Sequence, residues 1–255
     1  MTTGTLILAS AQTYDQHILF YLSSIFATVV GAIAGATASS RVRMDIFGIV
    51  MCGTITSLGG GTVRDILLMG MERANGTHMT VYWVIGPDVE FLYEALLTSV
   101  AVFYITRFVT LPAGTIRISD AFSMAFFSLL GAAKSYFLGC PWIVCVCMGV
   151  CTGVVGGVLR DVLTGNVPYV FRSQEVYASA SGAGCLAFVA LMALDVPVEW
   201  SFCIGTAVVF VTRMAAVYLN WKVPSYRPLF DPLSHESPPQ PPEHLEIHDS
   251  ECGGK

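Results

Sequence analysis

Seven stretches of this 255-residue chain are each long and apolar enough to cross a lipid bilayer. They run approximately over residues 18–38, 46–70, 89–111, 119–139, 141–165, 174–194 and 198–221. A helix that spans the hydrocarbon needs about 20 apolar residues, and only helices or closed barrels satisfy every backbone N–H and C=O there. The expected fold is therefore an all-α membrane protein with seven transmembrane helices. Composition agrees: only 12% of the residues are Asp, Glu, Lys or Arg, about half the share that clothes a soluble surface. The breaks between the runs read RVRMD, the 71–88 loop, PAGTIR, GCP, NVPYVFR and DVP. Residues 1–17 form an N-terminal extension with too short an apolar patch, and no basic start, for a cleaved leader. Residues 224–255 hold seven of the twelve prolines and six acids, and are expected to be a disordered tail.

Basic residues at the helix ends orient the chain. Arg41, Arg43, Arg107, Arg117, Arg172, Lys222 and Arg227 fall on one side, against Arg73 and Lys134 on the other. Seven against two places the N-terminus outside and the C-terminus in the cytoplasm, in a plasma or bacterial inner membrane. The triplet Asn75-Gly76-Thr77 then lies outside as a potential glycosylation sequon. With no basic patch, no nucleic-acid partner is expected, and membrane lipid is the surrounding medium. Cys145, Cys147 and Cys151 fit no familiar zinc spacing, the five histidines lie near the ends or in loops, and no nucleophile–base set is visible. Neither a cofactor nor an enzyme activity is expected.

The apolar runs contain one pattern twice. GGGTVRDILL (59–68) and VGGVLRDVLT (155–164) are 96 residues apart, and the same offset aligns Gly35-Ala36 with Gly131-Ala132, Gly53 with Gly149 and Thr56 with Thr152. Each copy holds three helices (18–111 and 119–194), so the second enters the membrane inverted, and the segment 198–221 is an addition. The candidate pathway residues follow from this pattern: Gly59, Gly60, Gly61, Arg64 and Asp65 in the first copy, and Gly156, Gly157, Arg160 and Asp161 in the second. Adjacent glycines are expected to open or kink each helix, which would expose half-helix N–H groups to anions and leave carbonyls with Asp65 and Asp161 for cations. Gly31-x-x-x-Gly35 and Gly149-x-x-x-Gly153 are read as helix-packing motifs, with Gly157 assigned to the pathway instead. Lys134, near the end of the fourth helix, is a pathway candidate that could equally snorkel, and Arg213 could reach the interface.

GGGTVRD, TGVVGGVLRD, the GAAK of the fourth helix and RMAAVYLNWKVP resemble the bacterial inner-membrane glycine-transporter-domain family, which carries two domain copies per chain. That family is similar in architecture to the trimeric intracellular cation (TRIC) channels. The resemblance covers residues 18–224 and implies seven helices, a route within each protomer and a homotrimer. Two departures stand out: Val155 occupies the place of a first glycine, and Ser24 stands where the second copy has Asp120. Two functions are compatible with this reading. One is a carrier of glycine or another small zwitterion, which fixed arginines favour because they repel cations. The other is a TRIC-like channel for monovalent cations such as potassium.

Overall fold

The computed structural model describes residues 18–71, 80–84, 87–109, 112, 114–171 and 176–219. The expected N-terminal extension, the Asn75 sequon and the Pro-rich tail lie outside these residues. Seven α-helices make up the described chain: α1 (Ile18–Arg41), α2 (Ile46–Leu67), α3 (Glu90–Phe108), α4 (Gly114–Phe137), α5 (Trp142–Leu163), α6 (Ala178–Ala193) and α7 (Val198–Tyr218). Short 3₁₀ turns at Pro87–Val89 and Tyr169–Phe171 precede α3 and follow α5. All helices except α6 have the length and apolarity to cross a membrane, and α6, at 16 residues, is apolar but short.

The repeat is visible in the helix limits. Adding 96 to the bounds of α1 and α2 gives the bounds of α4 and α5. The fourth helix therefore starts at Gly114, earlier than its apolar run suggests, and includes the polar turn Thr115–Ser119 in a structure its hydropathy alone would end sooner. The offset drifts only after the second helix of each copy. A Cβ on Gly53 would run into Ser99 of α3, while a Cβ on its equivalent Gly149 would meet Cys185 of α6. Ser99 and Cys185 are 86 apart in sequence, because the connection after α2 is longer than the one after α5.

Small residues bring the two copies together. Helices α1, α2, α4 and α5 form the centre, with α3 and α6 outside their own copies and α7 against α4 and α6. Gly35 of α1 lies against Thr56 of α2 and Gly131 of α4 against Thr152 of α5, each too close to admit a side chain on the glycine. The threonine hydroxyls are turned inward along their own helices, donating to the Cys52 and Met148 carbonyls at 2.6 Å. Gly31, Gly149 and Gly153 likewise meet neighbouring helices, as their spacing predicts. Aromatic pairs fill the wider gaps: Phe122 of α4 stacks on Phe210 of α7 with ring centres 4.2 Å apart, and Phe20 of α1 meets Phe202 edge-on at 5.2 Å. Large apolar side chains such as Phe47, Leu97, Phe108, Trp142, Trp200 and Val211 face outward, as expected where lipid replaces water.

Candidate functional site

The glycine clusters do not break their helices. Helices α2 and α5 run unbroken through Gly59–Gly61 and Gly156–Gly157, contrary to the opening expected from sequence. The physical reason is the crossing of these two helices. A Cβ on Gly60 would overlap the Thr152 carbonyl oxygen, and a Cβ on Gly156 would overlap that of Thr56. The backbones touch, and the closeness is compatible with intact helical hydrogen bonding because no side chain intervenes. No half-helix N-terminus exists here to hold an anion. The remaining glycines make room for side chains: Gly59 for Leu159, Gly61 for the Tyr82 ring and Gly157 for the Tyr177 hydroxyl.

Gly60 pairs with residue 152 and residue 56 with Gly156, so the two helices cross antiparallel. Arg64 and Arg160, each one turn past its glycine, consequently lie on opposite sides of the crossing. At 1.5 Å per residue they are separated by about 18 Å along the helix axes.

On the α2 side, three charges meet. The Nε of Arg64 donates to Asp65 Oδ1 at 2.8 Å, and Lys134 of α4 reaches the two oxygens of the same carboxylate at 3.2 and 3.3 Å. Lys134 does not snorkel: it points inward across the helix interface. The backbone N–H of Tyr82 donates to Asp65 Oδ2 at 3.0 Å, and its ring lies 5.9 Å from the Arg64 guanidinium and 5.6 Å from the Lys134 ammonium. The neighbouring Trp83 indole holds the same turn by donating to Thr62 Oγ1 at 2.8 Å. Asp65 thus receives two cations, one from its own helix and one from α4.

The α5 side repeats the plan with different partners. The Nε of Arg160 donates to Asp161 Oδ1 at 2.9 Å, and its Nη1 to Asp120 Oδ1 of α4 at 2.6 Å. The Tyr169 N–H donates to Asp161 Oδ2 at 3.0 Å, and its ring lies 5.7 Å from the Arg160 guanidinium. Tyr177, at the start of α6, donates its hydroxyl to Asp120 Oδ1 at 3.2 Å. The guanidinium of Arg213 lies 4.7 Å from the Tyr177 ring, and its Nη1 donates to the Val176 carbonyl at 3.2 Å. Arg213 is therefore buried between helices instead of reaching the interface.

Helix α4 thus reaches both sides of the crossing: Asp120 near its start binds Arg160, and Lys134 near its end binds Asp65. Its counterpart α1 carries neither charge, having Ser24 and Ala38 at those positions. Burying unpaired charge is costly, so these groups persist in the membrane interior because each meets an opposite charge. All ten sequence-derived candidates surround this crossing. Sequence reasoning missed Tyr82, Tyr169 and Tyr177, and treated Asp120 only as a departure from the repeat. An acid inside an apolar run was the available signal for Asp120, whereas the tyrosines carry no such mark. Among the described residues, no group of three or more His, Cys, Asp or Glu side chains is placed to hold a metal ion.

Comparison with known proteins gives this arrangement a context. The family model described as "Glycine transporter" matches twice, over residues 21–107 and 117–193, in the limits of the two copies. The chain is 34% identical over 210 residues to the UPF0126 inner membrane protein YadS of Escherichia coli K12, covering 82% of this chain and 96% of that protein. The UPF0126 membrane protein YvgT of Bacillus subtilis is 29% identical over 212 residues, covering 80% of this chain and 95% of the relative. Among solved structures, the TRIC orthologue of Rhodobacter sphaeroides matches with a TM-score of 0.71 at 32% identity, covering 80% of this chain and 99% of that one. A second TRIC cation channel, solved to explain conductance, matches with a TM-score of 0.72 at 27% identity over 84% of this chain and 100% of its own. The chain belongs to the glycine-transporter family of UPF0126 membrane proteins, with the TRIC channel fold.

Proposed function

We propose that this membrane transport protein conducts monovalent cations such as potassium through a route inside each protomer, between α2 and α5. The observation that carries this reading is that both motif arginines are paired with carboxylates. Arg64 is paired with Asp65, and Arg160 with Asp161 and Asp120, so neither presents the bare positive charge that would repel a cation. Likeness to two TRIC cation channels at 32% and 27% identity supports the same species. The α2–α5 crossing closes the route at its middle, and the two charged clusters close it at either end. With the N-terminus outside, the Arg64 cluster faces outward and the Arg160 cluster faces the cytoplasm. We place the protein in an inner membrane, where YadS resides, and assign it a homotrimer on the model of the trimeric channels it resembles.

Transport of glycine or a similar small zwitterion is the second reading. It is favoured by the family description and by the presence of both charge signs within hydrogen-bonding distance at each cluster. Proteoliposomes loaded with the purified chain separate the two. Potassium flux without saturable uptake of labelled glycine supports the channel, whereas saturable glycine uptake without potassium current overturns it in favour of the carrier.

A further inference from the structure

Helix α7 belongs to neither copy of the repeat, yet it makes an indirect connection to one charged cluster. We propose that Arg213 of α7, acting through Tyr177, is a positioning residue that holds Asp120 on Arg160 and so controls the cytoplasmic end of the route. The inference rests on the transport reading above and adds a regulator to it.

The chain of contacts is short and buried. Arg213 is 2% exposed and Tyr177 is 2% exposed, in a region where water cannot substitute for a lost partner. The guanidinium covers the Tyr177 ring at 4.7 Å while its Nη1 fixes the backbone of Val176, the residue before. Ring and backbone are thereby held together at the start of α6. That ring also stacks with Tyr169, with centres 6.5 Å apart, and Tyr169 is itself bound to Asp161 through its N–H. The Tyr177 hydroxyl then reaches Asp120 Oδ1, the same oxygen that receives Arg160 Nη1 at 2.6 Å. Gly157 is what lets the hydroxyl approach, since a Cβ there would lie 2.5 Å from it. Each charge of the cytoplasmic cluster is therefore in contact with one of two stacked tyrosines, the first of which Arg213 of α7 touches: Asp120 and Arg213 with Tyr177, and Arg160 and Asp161 with Tyr169. On the other side of the crossing, Asp65 instead takes Lys134 directly from α4. Displacing α7, or withdrawing Arg213, would free the Tyr177 hydroxyl and leave Asp120 able to leave Arg160 for an entering cation.

The test combines a readout of the link with a readout of its consequence. In the full-length protein in detergent, NMR of labelled arginine side chains should show the Arg160 and Arg213 guanidinium signals shifted by Tyr177→Phe while those of Arg64 stay in place. In proteoliposomes, Tyr177→Phe and Arg213→Gln should each raise potassium flux roughly three- to tenfold, the effect of removing one hydrogen-bonded partner from a closed state. The double variant should do no more than the larger single change, because both act on one chain of contacts. Tyr177→Phe combined with Lys134→Gln should instead multiply, since Lys134 serves the other side. Arg213→Lys should fall between wild type and Arg213→Gln, keeping a charge over the ring without the planar fork. Multiplying effects of Arg213→Gln and Tyr177→Phe, or unshifted Arg160 signals in Tyr177→Phe, overturn the link. A wild-type protein that carries neither potassium nor glycine sinks the transport reading instead, and the NMR result still decides whether the link exists.

Discussion

Alanine at the crossing glycines provides the most direct test of how the two copies meet. In the interior of a free helix, glycine-to-alanine is favourable by about 1 kcal/mol. In this structure the new methyl group at Gly60 would occupy the position of the Thr152 carbonyl oxygen, and at Gly156 that of the Thr56 carbonyl oxygen. Neither oxygen sits at the end of a flexible side chain, so relief requires α2 and α5 to separate as rigid bodies. Overpacking costs about 1–3 kcal/mol even when side chains can adjust, and the backbone case belongs at the upper end. Subtracting the propensity gain leaves about 2 kcal/mol of destabilisation for each variant, about a 30-fold change in the folded-to-unfolded ratio. Gly59→Ala is the control: its one close contact would be Leu159 Cδ1, at 2.6 Å, with Ile55 Cγ2 at an ordinary 3.8 Å, and the half-buried leucine can rotate aside. Denaturant titration of each purified variant in mild detergent, followed by circular dichroism, would measure this. The expected order is Gly60→Ala equal to Gly156→Ala, both below Gly59→Ala and wild type. If glycine supplied hinge freedom alone, alanine would stabilise the helices. A Gly60→Ala or Gly156→Ala protein as stable as wild type would refute the crossing.

Arg160→Ala should lose about 3–5 kcal/mol of stability, the cost of stranding buried charge, and Arg64→Ala markedly less, because Asp65 keeps Lys134 whereas Asp120 and Asp161 share Arg160; equal losses in thermal unfolding would contradict the partner assignment. Lys134→Gln removes one positive charge from the Arg64 side, worth about 1.7 kcal/mol to a cation ~10 Å away at an effective dielectric of ~20. Potassium flux should rise by up to about tenfold after screening, and an unchanged flux would remove Lys134 from the route. A reporter fused to the C-terminus should be active only in the cytoplasm; activity outside would reverse the orientation. Native mass spectrometry in mild detergent should give three chains per particle, and a stable monomer or dimer would refute the trimer.

Legibility of this structure followed the physics each residue obeys. The 96-residue offset, visible in Gly35/Gly131, Gly53/Gly149 and the two Arg-Asp pairs, turned out to set both limits of α1/α4 and α2/α5. Small residues are readable because helices in lipid pack through them, and intramembrane charges because they are costly without partners. What each glycine admits could not be read. Gly60 receives a carbonyl and Gly61 a tyrosine ring, yet the two are neighbours of identical type, and only the opposing helix distinguishes them. The helix break expected from propensity failed for the same reason: propensity describes an isolated helix, and tertiary contact decided the outcome. Tyr82 and Tyr169 escaped notice because their contribution is made through backbone N–H groups and ring faces, which leave no trace in hydropathy or charge.

The departures from symmetry carry the functional argument further than the symmetry itself. Two identical inverted halves would make the two ends of the route equivalent, with the same charge and the same response to an ion. Helix α4 prevents this by supplying Asp120 to one end and Lys134 to the other, while α1 supplies neither. The repeat therefore provides the crossing and the Arg-Asp pairs, and a single helix adds a carboxylate at one end and an ammonium at the other. Fourteen residues separate Asp120 from Lys134, about 21 Å of rigid helix. A shift of α4 along its axis would pull both side chains at once. In the proposed route the two ends are thus chemically distinct and joined by one helix, which would let them open in a fixed relation instead of independently.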